Sequence, residues 1–230
     1  MRYLPELVVM LTHNDRTVPD APAIFEQCKH TDAVFWGMKE DGLPLAQMQA
    51  LYSRMKALGK TTFLEVVAYT EAEGIKGAEM AALCGCDVLM GTMYFDAIRD
   101  FCSNNGIKYM PFVGEIVGRP SVLSGTISGM IAQAKECLSK GVYGIDLLAY
   151  RYTGDPGKLI QAFANEVQAP VCLAGSINSY PRLDEVNAAG LWAFTIGGAF
   201  FENQFGGTFA EQINQVCSYM KETAPLAQCR

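Results

Sequence analysis

The chain has 230 residues, half of them hydrophobic, with a formal net charge of -6 at pH 7. This length can bury one substantial core, whereas an acidic composition argues against nucleic acid as a partner, because such partners need a basic face. No apolar run approaches the roughly 20 residues of a membrane-spanning helix and the N-terminus has no apolar signal segment, so we expect a cytoplasmic protein without a membrane partner.

Apolar runs of strand length alternate with segments of helical periodicity along the whole chain. The predicted strands cover residues 7–12, 33–38, 62–68, 87–91, 108–114, 143–149, 170–174 and 192–197. Helical spacing of apolar residues marks 45–58, 75–83, 95–102, 127–138, 159–167, 183–189 and 209–220. Eight βα units in one domain predict an α/β fold, a single (β/α)8 TIM barrel over residues 1–230, with an open doubly wound sheet as the alternative.

Capping signals agree with these helices. Asp155 followed by Pro156 is typical of a helix start, and Thr208 with Glu211 has the spacing of a capping box. Glycines stand where four helices should end, at Gly59, Gly106, Gly141 and Gly190. The segment that follows the first strand, residues 12–15, contains no glycine, which disfavours a dinucleotide-binding fold.

The eight cysteines do not form a CxxC pair or a disulfide pattern. We expect mostly reduced, buried thiols at Cys28, Cys84, Cys86, Cys102, Cys137, Cys172, Cys217 and Cys229. The widest irregular segment is residues 114–125, after the fifth strand. It could be a lid or substrate loop, or simply a surface excursion.

Two short glycine turns follow the seventh and eighth predicted strands, at residues 173–178 and 195–200. Glycine lacks a Cβ, so backbone N–H groups can surround a ligand closely. In a TIM barrel the phosphate site lies at these two loops, next to a short extra helix, which we expect at residues 200–204. The residues predicted to bind a phosphate are Gly175, Ser176, Gly197, Gly198 and Ala199. The alternative is that the glycines only form tight βα turns.

Four ionisable residues at predicted strand ends are candidates for catalysis. Glu65 and Asp146 lie inside apolar runs, where an unpaired carboxylate is costly to bury and needs a partner, a proton or a metal. Each could be a general base or part of a structural ion pair. Lys39 follows the second strand and could polarise a carbonyl, or be a solvated loop lysine. His13 lies at the end of the first strand.

Two further residues are candidates for substrate binding. Arg151, flanked by Tyr150 and Tyr152, could clamp a carboxylate or a sugar hydroxyl face, or could lie in a surface loop. Glu115 follows the fifth strand at the predicted active-site face.

The cofactor is left open and no metal is assigned. Mg²⁺ bound by Glu65 and Asp146 with water is compatible with the oxygen ligands that hard cations prefer. One well-placed histidine cannot form a two-histidine metal centre. Residues 143–150 contain no lysine, which disfavours a Schiff-base aldolase with its lysine in the sixth strand.

Residues 174–199 resemble the paired terminal turns of the phosphate-binding barrels, which include ribulose-phosphate-binding enzymes, histidine-biosynthesis isomerases and N-acetylmannosamine-6-phosphate 2-epimerase. Residues 71–92 resemble the recurrent helix, Gly-x-Asp and strand unit of that superfamily. The segment around Lys39 loosely resembles the epimerase family, in which a lysine after an early strand is functional. The resemblance implies a phosphate-binding barrel and does not specify an activity.

A second resemblance is to the glycerol-3-phosphate-responsive antiterminators, a non-enzymatic family of the same barrels. Residues 87–92, 106–108 and 144–148 follow a similar order. This resemblance implies a regulator that senses a phosphometabolite, although the acidic chain lacks a clustered basic surface for RNA.

The sequence therefore predicts a barrel that binds a small phosphorylated substrate, a sugar or keto-acid phosphate, and abstracts a proton next to a carbonyl. Such an enzyme is an isomerase, epimerase or lyase of carbohydrate metabolism, and a homo-oligomer is compatible with its exposed helices. Glu65 or Asp146 is the expected base, and Lys39 or His13 the group that polarises the carbonyl or returns the proton. The alternative is the non-enzymatic regulator.

Overall fold

The structure, a computed structural model, describes residues 3–224. The strands in chain order are β1 (Glu6–Met10), β2 (Thr12–His13), β3 (Arg16–Thr17), β4 (Phe35–Lys39), β5 (Thr61–Val66), β6 (Val88–Gly91), β7 (Lys108–Met110), β8 (Glu115–Val117), β9 (Val122–Ser124), β10 (Ile145–Leu147), β11 (Val171–Leu173) and β12 (Ala193–Ile196). The helices are α1 (Ala21–Cys28), α2 (Leu45–Ala57), α3 (Glu71–Leu83), α4 (Asp96–Asn104), α5 (Ile127–Ser139), α6 (Pro156–Glu166), α7 (Tyr180–Ala189), α8 (Gly198–Phe201) and α9 (Phe209–Glu222). A 3₁₀ helix spans Ala149–Arg151.

Eight parallel strands form one sheet in the order β10-β11-β12-β1-β4-β5-β6-β7. The two ends of this sheet meet, because the N–H of Tyr143 donates to the carbonyl of Tyr109 at 2.9 Å and the N–H of Asp146 donates to that of Pro111 at 3.0 Å. The chain therefore forms a single (β/α)8 barrel, as predicted, and the alternative of an open sheet is wrong. Each of the eight predicted strands overlaps an observed barrel strand.

Aromatic side chains fill the barrel interior at the amino ends of the strands. The ring centroid of Phe35 lies 5.1 Å from that of Phe63 and 5.4 Å from that of Trp192, and Tyr143 meets Trp192 edge-on at 5.7 Å. This end of the barrel is thereby packed with apolar side chains, so a polar site has room only at the carboxyl ends. We call that end the mouth.

The predicted capping residues lie at the ends of the outer helices. Asp155 caps α6, and Thr208 forms a capping box with Glu211 at the start of α9. Gly190 ends α7 with φ 60°, a left-handed conformation that glycine adopts without strain. The structure extends α3 four residues before the predicted start, because the side chain of Thr70 accepts a hydrogen bond from the first turn.

Two antiparallel hairpins project from the mouth. β2 and β3 are joined by the two residues Asn14 and Asp15, which have φ of 49° and 63°. Both values suit a tight hairpin turn, which asparagine and aspartate tolerate better than most residues. β8 and β9 form the second hairpin within residues 114–125, where the sequence predicts irregular structure.

Six cysteines of the described residues are buried and Cys217 is half-buried; all are free thiols, as predicted. Cys229 lies outside the described residues. Within residues 3–224, no helix has the length and apolar composition needed to span a membrane.

Candidate functional site

A cleft of about 670 Å³ lies at the mouth of the barrel. Its walls are loops that follow the barrel strands, and its floor is formed by side chains from inside the barrel. The predicted site residues that line it are His13, Lys39, Glu65, Arg151, Gly175, Ser176, Gly197, Gly198 and Ala199. The fold therefore brings most of the predicted residues into one cavity, in the size range of small-molecule sites.

Lys39 and two carboxylates form a buried charged cluster on the cleft floor. Lys39 ends β4 and pairs in register with Glu65 on β5. The Nζ of Lys39 lies 3.3 Å from Oε1 of Glu65 and donates a short hydrogen bond to the carboxylate of Asp15, which comes from the turn between β2 and β3. Lys39 and Glu65 are both more than nine-tenths buried.

Burial alone would lower the pKa of the Lys39 ammonium. The charges of Glu65 and Asp15 and the hydrogen bond to Asp15 outweigh it, so this pKa lies above its ordinary value. Lys39 is thus a fixed cation, suited to stabilising negative charge on a ligand oxygen and not to attacking a carbonyl as a free amine.

Asp146 lies inside the barrel on β10 and is completely buried. Neither carboxyl oxygen accepts a hydrogen bond of ordinary geometry within the described residues, although the backbone N–H of Gly91 lies close enough to lower its pKa. Burial, and then the negative charge of Glu65, raise the pKa of Asp146 well above its usual range, while Lys39 lowers it less. Burial thus favours the protonated carboxyl over the carboxylate, and the side chain does not line the cleft.

His13 lies on the cleft wall at the end of β2. Its Nε2 is 3.5 Å from Oε1 of Glu202, and its ring stacks on Phe201 with centroids 5.5 Å apart. The histidine is therefore held at the rim, next to the segment that follows β12.

The two glycine turns present free backbone donors to the cleft. The amide N–H groups of Gly175, Ser176, Gly198 and Ala199 donate to no acceptor within residues 3–224, and we call these four groups the amide cup. The extra helical turn predicted at residues 200–204 is present as α8, which begins two residues earlier and ends at Phe201.

Arg151 lies next to the amide cup. A Cβ built on Gly175 would come 3.4 Å from Cγ of Arg151. Within the described residues, the guanidinium of Arg151 forms no hydrogen bond or ion pair. An unpaired guanidinium next to free amides is an arrangement that fits a phosphate or carboxylate.

The hairpin of β8 and β9 reaches across the mouth. Nη2 of Arg119, at its tip, donates to Oε1 of Glu40 at 2.8 Å and to the carbonyl of Val67 at 2.6 Å. Arg119 lines the cleft together with Pro120 and Ser121. The segment is thus part of the cleft wall, and its role as a lid or substrate loop stays a prediction.

Glu115 does not line the cleft. It begins β8, is exposed, and its carboxylate accepts a long hydrogen bond of 3.4 Å from the hydroxyl of Ser124. Because side chains alternate along a strand, the start of this hairpin directs Glu115 away from the mouth.

Sequence reasoning placed Asp15 after the first strand and Arg119 in the segment 114–125, but assigned no site role to either residue. The signal for Asp15 was the dipeptide Asn14-Asp15 between two short extended pairs, which is typical of a two-residue hairpin turn. No sequence pattern indicates that Arg119 pairs with Glu40, because that contact depends on how a hairpin folds over the barrel. Among residues 3–224 there is no group of three or more side chains that could hold a metal ion.

No protein-family model matches the sequence, and no curated protein matches it. Solved structures that are similar in fold include orotidine 5'-phosphate decarboxylase from Pyrococcus horikoshii OT3, with a TM-score of 0.68 and 11% identity over 94% of this chain and 99% of that one. N-acetylmannosamine-6-phosphate 2-epimerase from Clostridium perfringens has a TM-score of 0.61 and 13% identity over 93% and 92%.

The glycerol uptake operon antiterminator regulatory protein from Listeria monocytogenes has a TM-score of 0.56 and 17% identity over 84% of this chain and 91% of its own. At these identities the likeness shows the fold alone. It confirms the predicted (β/α)8 barrel and its resemblance in layout to the epimerase and antiterminator barrels.

Proposed function

We propose that this barrel binds a small phosphorylated metabolite in the cleft and catalyses proton transfer at the carbon next to a carbonyl group. The observation that carries the proposal is the buried Lys39 ammonium between Glu65 and Asp15, on the floor of a cleft whose rim holds free amides. Titratable groups buried together in a cleft are typical of catalytic sites.

The amide cup and Arg151 would hold the phosphate. Free N–H groups and a guanidinium match the geometry and charge of phosphate oxygens. Oε1 of Glu202 lies 3.5 Å from Nε2 of His13 and 3.7 Å from a Cβ built on Gly198, so this carboxylate borders the amide cup on the side of His13. Phosphate binding at this rim would place the carbon chain of the ligand over the cleft floor.

Glu65 is the proposed base. Its carboxylate takes the proton from the carbon next to the carbonyl, and the electron pair moves onto the carbonyl oxygen as an enolate. The Lys39 ammonium donates a hydrogen bond to that oxygen, where the negative charge develops. Asp15 keeps the lysine charged and oriented. Return of the proton to either face, or to the neighbouring carbon, gives an epimer or an isomer.

Asp146 is the weaker candidate for the base, because it is buried beneath the floor and burial raises the pKa of its carboxyl well above the usual range. The proposed role of His13 is to return the proton to the ligand, a role supported by its position on the cleft wall beside Gly198. Two of the structurally similar enzymes are named for phosphorylated compounds, a decarboxylase and an epimerase, which supports a phosphorylated ligand here.

The second candidate is a regulator that binds a phosphometabolite without turnover, supported by the similar fold of the Listeria antiterminator. Burying a lysine with two carboxylates costs desolvation energy that a passive binding site does not require. This cost favours the proposed enzyme over the regulator.

The proposed phosphate site is tested by thermal shift with phosphorylated sugars and keto acids, each compared with its dephosphorylated counterpart. We expect only phosphorylated members to raise the melting temperature, through mass action on the folded state. Arg151→Gln should abolish this preference, whereas Arg54→Gln, a distant exposed arginine on α2, should retain it. Equal stabilisation by both members of every pair would contradict the proposal.

A further inference from the structure

Arg119 crosses the mouth from one side of the barrel to another. Its hairpin leaves the barrel after β7, yet its guanidinium bonds to Glu40, which follows β4, and to the carbonyl of Val67, which follows β5. The same oxygen of Glu40 accepts a hydrogen bond from the N–H of Val67 at 3.2 Å. The arginine is therefore anchored at two neighbouring strand ends.

Tyr69 fixes the hairpin tip on both sides of Arg119. Its hydroxyl donates to the carbonyl of Gly118 at 2.8 Å and lies 3.0 Å from the hydroxyl of Ser121. One side chain thus clamps the residues that flank Arg119 and Pro120. The position of the guanidinium is set before any ligand binds, which lowers the entropy lost on binding.

Part of this guanidinium remains free. All its contacts with Glu40 and Val67 use Nη2, whereas Nε and Nη1 have no acceptor within residues 3–224. The side chain is 46% exposed and lines the cleft. The N–H groups of Nε and Nη1 are therefore left to donate charge-assisted hydrogen bonds to the oxygens of a ligand carboxylate.

Arg119 and Arg151 lie at opposite sides of the mouth. Arg119 is anchored at the ends of β4 and β5, whereas Arg151 follows β10 and Gly175 follows β11. In the strand order of the closed barrel, β4 and β5 lie across from β10 and β11. The Lys39 cluster lies on the floor between the two sides. A ligand that reached both arginines would pass over the proposed reaction centre.

We infer that the ligand carries two anionic groups, a phosphate at the amide cup and Arg151 and a carboxylate at Arg119, as in a phosphorylated sugar acid or keto acid. This inference rests on the proposed function and names its substrate class. Against the effect of burial, the carboxylates of Glu40 and Asp15 raise the pKa of the Arg119 guanidinium, and Asp15 also accepts a hydrogen bond from the Lys39 ammonium. A carboxylate on Arg119 therefore brings the neighbouring carbon of the ligand towards the Lys39 ammonium. Arg119 is then the residue that determines specificity for an acid over an alcohol.

The test uses open-chain probes that differ in one group. 6-Phosphogluconate carries both anions, sorbitol 6-phosphate lacks the carboxylate, and gluconate lacks the phosphate. A three-carbon pair, 3-phosphoglycerate and glycerol 3-phosphate, covers a shorter span. Dissociation constants are measured by calorimetry for the wild-type protein, Arg119→Gln, Arg119→Lys and the control Arg16→Gln. Arg16 also lines the cleft but lies in an exposed ion pair with Asp41.

We expect the carboxylate to improve affinity at least tenfold in one of the two pairs. Arg119→Gln should remove this gain, Arg119→Lys should keep only part of it, and Arg16→Gln should keep it. Unchanged affinity of the variants for sorbitol 6-phosphate or glycerol 3-phosphate shows that the site is still folded. If the alcohol and the acid bind equally, or if the gain persists in Arg119→Gln, the inference is wrong while the phosphate site stands. If gluconate binds as well as 6-phosphogluconate, the proposed phosphate site itself is wrong.

Discussion

Lys39 and Glu65 are paired residues of neighbouring barrel strands, and their Nζ and Oε1 atoms lie 3.3 Å apart at the bottom of the cleft. Both side chains are more than nine-tenths buried, and Asp15 reaches the same ammonium from a separate hairpin. One cation thus balances two carboxylates in a place with little water. Each group depends on the others to remain charged.

Replacing Lys39 with methionine should destabilise the protein by about 3 kcal/mol at pH 7, because two buried carboxylates lose their cation. Urea unfolding at pH 7 measures this. Lys76→Met, at an exposed position on α3, should change stability little, and a Lys39→Met variant as stable as the wild type would contradict the coupling.

Asp146→Asn should become more stable than the wild type as the pH is raised. The pKa of Asp146 is raised in the folded protein. The contribution of Asp146 to the free energy of unfolding is therefore fully present below its pKa in the unfolded chain, which is about 4. It decreases by about 1.4 kcal/mol per pH unit as the pH rises from there towards its pKa in the folded protein. The variant carries a neutral amide and lacks this decrease. The difference in unfolding free energy between the two proteins, measured at several values from pH 5 to 8, should grow with pH. A constant difference would show that Asp146 is ionised in the folded protein.

Two adjacent glycines should respond differently to alanine. A Cβ on Gly197 would lie 2.8 Å from the carbonyl oxygen of Thr12, whereas a Cβ on Gly198 has no neighbour closer than 3.7 Å. Gly197→Ala should therefore cost about 1–3 kcal/mol through overpacking, and Gly198→Ala should fold normally. Because Gly198 lines the cleft, its added methyl group should weaken binding of phosphorylated ligands severalfold. Calorimetry and thermal melting of both variants check this, and unchanged affinity in Gly198→Ala would argue against the amide cup.

The fold could be predicted from the sequence because each barrel strand is a short apolar run between a helix end and a turn. The interval from Gly190 to Gly197 shows this: a left-handed helix stop, a buried strand and a glycine turn follow in eight residues. The β8 and β9 hairpin was not predicted, since strands of three residues with mixed polarity give no clear alternation.

The candidate site was predicted in part for the same reason. Lys39, Glu65 and Gly198 lie at strand ends, and the barrel brings all strand ends to one mouth. Asp146 was predicted to act at the mouth. Alternation along a strand predicts whether a side chain points into the barrel, but it does not predict how far below the mouth that side chain lies. The contact of Arg119 with Glu40 joins residues that are 79 positions apart, and no local pattern encodes it.

Deuterium exchange tests the proposed chemistry most directly. A sugar or keto-acid phosphate that stabilises the protein is incubated with it in D2O, and the proton signal of the carbon next to the carbonyl is followed by NMR. We predict loss of that signal with the wild-type protein, at least 100-fold slower exchange with Glu65→Gln, and wild-type exchange with Glu79→Gln, an exposed control on α3. Binding without exchange for every stabilising ligand, or undiminished exchange in Glu65→Gln, would contradict the proposal that this barrel abstracts a proton.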